Sequence, residues 1–310
     1  MEMTSSRFFF MTLNAISVFV EALPFLIGGA FIAAIIELYI KPETLARIIP
    51  KNRMLSYITG VFAGFILPVC ECGIIPVVKK LLDKKVPLHT AIVYMIAGPV
   101  VNPLVILSTW IAFRMDLKMV FARIVIISIM AVITAVILGD DKEKILKKKF
   151  ITEHQHNSVC SCGDCSHEHN NEHQNISFQN KVLLILSHTA NEFAYMAKFL
   201  ALGAIAAGFF KTYIPVEIIN YMKVNIFGEI VIMMLLAFLL NVCSEADAFV
   251  SYSFSMFSKA ARIAFVTYGP PADLKQLLMY NAVFTKTAII KMFLTLTLLN
   301  ILGALIFNLL

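Results

Sequence analysis

Eight apolar stretches, at about 12–40, 54–81, 88–113, 118–138, 182–210, 224–257, 260–284 and 287–309, take up most of this 310-residue chain. A helix needs about 20 residues to cross the hydrocarbon core of a bilayer, and most of these stretches reach that length. They are apolar all round, whereas outer-membrane strands alternate over about ten residues, so a β-barrel is excluded. Composition agrees: 59% hydrophobic and 15% charged residues, with a mean hydropathy of +0.81, lie outside the range of soluble domains. The expected fold is all-α, a polytopic transmembrane helical bundle of about eight spans. The first stretch is too long for the apolar core of a cleaved signal peptide and is read as retained. The polar stretch 139–181 is the only one longer than about twenty residues. No soluble catalytic domain is left over, so the chain is not expected to be an enzyme.

Orientation follows from the cations between spans. With eight spans, one side carries thirteen Lys and Arg, including Lys79, Lys80, Lys84, Lys85 and Lys142 to Lys149, against ten on the other. The positive-inside rule then places both termini and the long loop in the cytoplasm of a multi-pass cell-membrane protein.

Three landmarks recur in order. Gly29-Ala30-Phe31-Ile32-Ala33-Ala34 matches Gly203-Ala204-Ile205-Ala206-Ala207-Gly208 at an offset of 174. Phe65 to Cys70 falls on Phe238 to Cys243 at 173, and Gly98-Pro99-Val100-Val101-Asn102 falls on Gly269-Pro270-Pro271-Ala272-Asp273 at 171. Shared Cys and Gly-Pro positions are not explained by hydrophobicity, and transporters are often built from internal repeats. The chain therefore divides into a first four-helix repeat (1–138), a basic and then His/Cys-rich loop (139–181), and a second four-helix repeat (182–310). Four spans per half make the repeats parallel; an interrupted segment that turns back would make them inverted.

Within the second stretch, Pro68-Val69-Cys70-Glu71-Cys72-Gly73-Ile74-Ile75-Pro76 sets two thiols and a carboxylate between prolines that break the helix. A carboxylate at bilayer depth costs at least ~2.5 kcal/mol and is tolerated where it faces a cavity, a partner or a transported substrate. Paired helix breaks in two halves point to a transporter's binding site. The paired breaks are Cys70–Cys72 with Cys243, Glu245 and Asp247, and Gly98, Pro99 and Asn102 with Gly269, Pro270 and Asp273. A plainer reading stands beside this one: a membrane Cys is commonly a packing residue, Gly-Pro commonly a kink, and the acids could pair with Lys275 for the fold alone. The coincidence of three thiols and several carboxylates at equivalent breaks favours a shared site. Thiolates suit soft species such as trivalent arsenic, Cu(I) or Zn, and neighbouring carboxylates can carry coupling protons. No Gly-x-x-x-x-Gly-Lys-Ser/Thr phosphate loop occurs in the chain, so secondary transport is simpler than ATP-driven transport.

The tract 154–173 holds five of the seven histidines and three of the six cysteines. Cys160, Cys162 and Cys165 with His154, His156, His167 and His169 form a candidate metal- or metalloid-binding set, although the spacing fits no standard closed zinc module. In the cytoplasm these thiols stay reduced, which favours ligation over disulfides. No cofactor is otherwise implied. The basic run from Lys142 to Lys149 suits anionic lipid rather than nucleic acid.

With these residues in view, Cys70-Glu71-Cys72-Gly73-Ile74-Ile75-Pro76, the following Lys79-Lys80, Gly98-Pro99 with Asn102-Pro103, and Gly269-Pro270 with Asp273 resemble the ArsP/YraQ-type permease family over nearly the whole chain outside 139–181. The resemblance implies an integral inner-membrane permease of about eight spans, in a family whose best-understood branch exports trivalent organoarsenicals. It also implies pathway roles for Cys70, Cys72, Gly98, Pro99, Asn102, Cys243, Gly269, Pro270 and Asp273. The glutamate between the thiols departs from the arsenical exporters and is closer to an uncharacterised bacterial branch. The leading expectation is an exporter of a small thiophilic solute with proton coupling. The alternatives are a membrane thiol-redox or sulfur-handling protein, and a permease subunit that needs a partner protein or a second copy of itself.

Overall fold

The computed structural model describes residues 52–139 apart from 85, 142–147 and 225–309, together with scattered positions between 9 and 50 and between 190 and 205. The tract 154–173 and most of the stretches 12–40 and 182–210 lie outside the described residues. Every regular element described is a helix; the one isolated β-bridge among the described residues joins Leu146 to Phe284.

In chain order the helices are α1 (Arg53–Ile66), α2 (Ile74–Asp83), α3 (Leu88–Ala97), α4 (Pro103–Ala112), α5 (Leu117–Leu138) and α6 (Lys142–Ile145), then α7 (Ile226–Leu240), α8 (Asp247–Ser253), α9 (Lys259–Ala272), α10 (Leu274–Val283) and α11 (Lys286–Leu309). Among the described residues only α5 and α11, of 22 and 24 residues, are long and apolar enough to cross a membrane unaided. The stretches expected as single spans at 54–81, 88–113, 224–257 and 260–284 are each divided into two shorter helices.

The divisions have local causes. Pro68 sits in the gap after α1, while Pro76 occupies the first turn of α2, where its missing N–H has no intrahelical duty. Asn102 caps α4 by accepting from Leu104 N at 3.0 Å, with Pro103 as the first helical residue. Asp273 caps α10 by accepting from Gln276 N at 2.5 Å. Asn241 closes α7 with φ 54° and ψ 49°, a left-handed conformation that asparagine tolerates better than most residues.

Small residues allow the pieces to approach. Gly60 and Gly64 lie one turn apart on the face of α1 that meets α3, an arrangement that lets helix backbones come close in a membrane. A Cβ on Gly64 would stand 2.5 Å from Gly98 Cα, so two backbones occupy the space that side chains usually fill. On α11, a Cβ at Gly303 would come within 2.9 Å of Ile126 on α5.

The long helices expose one apolar stripe and bury the other. On α11 Ile290, Leu294, Leu298, Leu302 and Ile306 point outward at four-residue spacing, while Met292, Leu296, Asn300 and Ala304 face the core. Outward-facing leucine and isoleucine at this density suit lipid rather than water. Between 53 and 138 and between 226 and 309 the helices run in the same order, and their first residues are offset by 173, 173, 171, 171 and 169 positions.

Candidate functional site

Both helix breaks make the same turn. Cys70 O accepts from Gly73 N and Ile74 N, both at 3.1 Å, and Cys243 O accepts from Ala246 N at 3.0 Å and Asp247 N at 2.9 Å. These two turns meet in the protein interior. Cys70, Glu71, Cys72, Cys243, Asp247 and Asp273 are all buried, with Glu71, Cys72 and Asp273 at 0% exposure. Cys72 lies close enough to Cys70 and Cys243 for the three thiols to influence one another electrostatically, and all three are free cysteines. Thiols 171 positions apart in sequence are thus neighbours.

A cation closes the same junction. Lys275 Nζ stands 3.2 Å from Glu71 Oε1 and 3.5 Å from Asp273 Oδ2, at 1% exposure. It is also near enough to Cys72 and Cys243 to act on them electrostatically. Asn241, with its amide turned to donate, places Nδ2 2.6 and 3.1 Å from the two Asp273 carboxylate oxygens. Charges this deep persist only when paired, and here one ammonium faces two carboxylates.

A second ion pair crosses between the same two regions. Arg123 on α5 donates to Asp247 Oδ2 at 2.6 Å, to Thr109 Oγ1 at 2.6 Å and to Ser244 O at 3.3 Å. Glu245 lies within electrostatic range of both Glu71 and Arg123; it is only partly buried, and the Ser244 hydroxyl donates to its Oε2 at 3.4 Å.

Several buried polar atoms in this region have no partner: Glu71 Oε2, both side-chain polar atoms of Gln276, the Tyr280 hydroxyl, Arg123 Nε and Asp247 Oδ1. Tyr280 faces Gln276 without forming a well-made hydrogen bond. Buried polar groups are ordinarily satisfied, so a cluster of unsatisfied ones marks a place that water or a ligand can use.

The structure gathers some expected residues and separates others. Cys70, Glu71, Cys72, Cys243 and Asp273 share one cluster, and Asp247 and Glu245 adjoin it through Arg123 and Glu71. Gly98 instead lies against Gly64, Asn102 is spent on capping α4, and Gly269 faces Ala237 Cβ at an ordinary 3.7 Å. Pro270 is inside α9, and Pro99 sits in the turn after α3. Sequence reasoning missed Arg123, Gln276, Tyr280 and the capping Asn241. A lone arginine within the apolar stretch 118–138 was the available signal, since such a charge requires a buried partner. Among the described residues no three His, Cys, Asp or Glu side chains are disposed to hold a metal ion together. The expected ligands His154, His156, Cys160, Cys162, Cys165, His167 and His169 lie outside the described residues.

A family described as "Predicted permease" matches residues 10–309. The chain belongs to this permease family. It is 37% identical over 279 residues to a Streptococcus mutans protein provisionally named a two-component membrane permease complex subunit, covering 90% of this chain and 88% of that one. It is also 36% identical over 280 residues to the Bacillus subtilis UPF0718 protein YcgR, covering 89% and 90%. No solved structure matches the chain. As a member of this family with long lipid-suited helices, the chain is a membrane protein.

Proposed function

We propose that this permease is a secondary transporter that exports a small thiophilic solute through the junction of Cys70, Cys72 and Cys243. The observation that carries the reading is the burial of Cys70, Cys72 and Cys243 at two matching helix breaks, with Lys275 paired to Glu71 and within electrostatic range of Cys72 and Cys243. Trivalent organoarsenicals are the substrate that the family resemblance suggests, and the Glu71, Glu245, Asp247 and Asp273 carboxylates are candidates for carrying coupling protons. A multi-pass arrangement of about eight spans in two related halves, 1–138 and 182–310, fits the recurring helix order and the shared turn at Cys70 and Cys243. Two outward apolar grooves also support it. One is lined by Ile58, Val61 and Phe62 with Ser128 and Val132, the other by Val231, Met234 and Leu235 with Thr297 and Ile301. The α1 and α7 positions are offset by 173 and the α5 and α11 positions by 169.

The test is accumulation of methylarsenite in a strain lacking its own exporters. Cys72→Ser and Cys243→Ser should each raise cellular arsenic to the vector-only level at unchanged protein abundance. Unchanged accumulation in both variants would remove the thiol pathway. A second reading, transport that depends on a partner protein, is favoured by the provisional name of the Streptococcus mutans relative. Transport by the purified chain alone in liposomes would exclude it. Deleting 150–178 separates a loop required for transport from one that only alters the response to metal.

A further inference from the structure

We propose that six of the eight apolar stretches cross the membrane, and that the Cys70 and Cys243 turns are the tips of two re-entrant hairpins, α1–α2 entering from the cytoplasmic face and α7–α8 from the opposite one. The path stands on the contacts that follow, and its use in transport rests on the permease reading above.

α1 and α3 lie side by side and run the same way. Near their starts Ser56 Oγ meets Thr90 Oγ1 at 2.5 Å and His89 Nε2 at 3.2 Å; near their ends Gly64 faces Gly98, and Tyr94 donates to Leu67 O at 3.1 Å. Continued in line, α1 and α2 would carry Asp83 at least ~36 Å from the start of α1. The link from Asp83 to Leu88 spans at most ~18 Å, so α2 returns toward the face from which α1 came. The second region repeats this. Glu229 near the start of α7 accepts from Ser258 N, just before α9, at 2.9 Å, and Gly269 faces Ala237 near their ends. The stretch 224–257 therefore begins and ends on one face.

Sides follow from α5, which is long enough to cross unaided. At its start Asp116 pairs with Lys259 at 2.8 Å; just beyond its end Leu146 bridges to Phe284. Lys259 and Phe284 are thus on opposite faces, and α9 and α10 together cross once. A count of eight spans puts Asp116 and Lys259 on opposite sides, which their ion pair forbids. α3 and α4 are the counterparts of α9 and α10 at an offset of 171 and cross likewise, which starts α1 and α3 on the Leu146 face. Depth agrees: Ile58 and Phe62, five and nine residues into α1, share a groove with Val132 and Ser128, six and ten residues before the end of α5. One hairpin enters from each face, so the halves are inverted. Between 147 and 226 the chain must change faces, and 182–210 is the apolar stretch available for it, with 12–40 its counterpart at an offset of 174.

Charge supplies an independent check. The six-crossing path moves Lys41, Arg47, Lys51, Arg53, Lys286 and Lys291 to the side of the 139–181 loop and takes Arg7, Lys259 and Arg262 from it. Thirteen Lys and Arg against ten become sixteen against seven, and the positive-inside rule places the loop in the cytoplasm and both termini outside. Each hairpin tip is tied by a cation from the other half, Glu71 by Lys275 and Asp247 by Arg123, which also donates to Ser244 O. The buried thiols are reached from the cytoplasm past one hairpin and from outside past the other. Moving one hairpin while the other stays tied opens the site to one face at a time.

The experiment labels single cysteines in intact bacterial cells with a membrane-impermeant maleimide, in a chain with Cys160, Cys162 and Cys165 replaced by serine. Met115→Cys, at an exposed position, is outside on either path and serves as the reference. Met256→Cys, also exposed, should label with it, and Lys286→Cys should label only in inside-out vesicles. Lys286→Cys labelled in intact cells, or Met256→Cys labelled only in inside-out vesicles, would overturn the proposal. Alkaline phosphatase fused after Leu310 decides the matter where a cysteine variant does not fold: it should be active, and an inactive fusion at normal abundance would also overturn the path. For the hairpins as gates, Glu71→Gln should make Cys70 and Cys72 react faster than in the parent in inside-out vesicles; no gain from that face would sink the gate assignment. If the labelling is reversed while methylarsenite export still requires Cys72 and Cys243, this inference falls and the permease reading stands. If the labelling holds while export does not require them, the path stands and the thiol route falls.

Discussion

Lys275 is shared by two carboxylates, and that makes its removal more damaging than removal of either partner. In Lys275→Met the Glu71 and Asp273 carboxylates, which now flank the ammonium at 3.2 and 3.5 Å, are left buried with no cation between them. Stripping one partner from a buried ion pair costs ~3–5 kcal/mol, and the like-charge repulsion that remains adds to it. Glu71→Gln is milder, because Lys275 keeps Asp273 and a glutamine oxygen can still accept its hydrogen bond; the expected cost is ~1–2 kcal/mol. The double variant should be more stable than Lys275→Met alone, since it removes one of the stranded charges. Thermal unfolding of the purified protein in detergent, followed by intrinsic fluorescence, reads the order directly. Lys275→Met should lower the midpoint by on the order of 5–10 °C, and adding Glu71→Gln should recover part of that loss. Equal losses for the two single variants, with additive loss in the double, would refute the shared-cation reasoning.

Gly64→Ala should destabilise by at least ~1–3 kcal/mol because its Cβ would strike Gly98 backbone at 2.5 Å, whereas Gly269→Ala should be close to neutral with Ala237 at 3.7 Å; the same melting assay compares them. Arg123→Met should fold poorly and Arg123→Met/Asp247→Leu should recover, because only the single change strands a buried carboxylate; expression and gel-filtration profile report this. Lys259, 2.8 Å from Asp116, holds that carboxyl below the usual carboxylate range. The pair's small stabilisation is therefore present above the carboxyl's unfolded pKa and lost as pH falls through its lowered folded value. Asp116→Asn, which keeps the cap on α5, should melt slightly lower than the parent at pH 7 and equally at the acid end, with the difference shrinking in high salt.

The membrane class and the helix breaks were legible because they rest on local causes: run length, prolines and capping residues such as Asn102 and Asp273. The gathering of Cys70, Cys72 and Cys243 was legible through the matched landmarks at an offset of 173. Gly98 and Asn102 also have local duties, backbone approach and helix capping, which leave the same trace in a sequence as a pathway motif, a small or polar residue beside a proline. Arg123 and Gln276 went unread because their meaning is tertiary. An arginine in an apolar run names no partner until Asp247 is brought to it across 124 positions. The division of the expected spans into short helices was half visible, since the prolines mark where a helix stops but not whether it resumes.

The short segment after α5 changes what the 139–181 linker is. Leu146 bridges to Phe284, Lys147 N donates to Val283 O at 3.0 Å, Thr285 N donates to Ile145 O at 2.9 Å, and Lys147 Nζ donates to the Asn281 carbonyl. The chain leaving the first set of helices is thus fastened to the α10–α11 corner before the His/Cys-rich tract begins. Together with Glu71–Lys275 and Arg123–Asp247, this makes the union of the two regions largely non-covalent. A protease cut between 150 and 178 would sever the polypeptide without parting the protein, and the two pieces could be made from separate genes and still assemble around the same thiols.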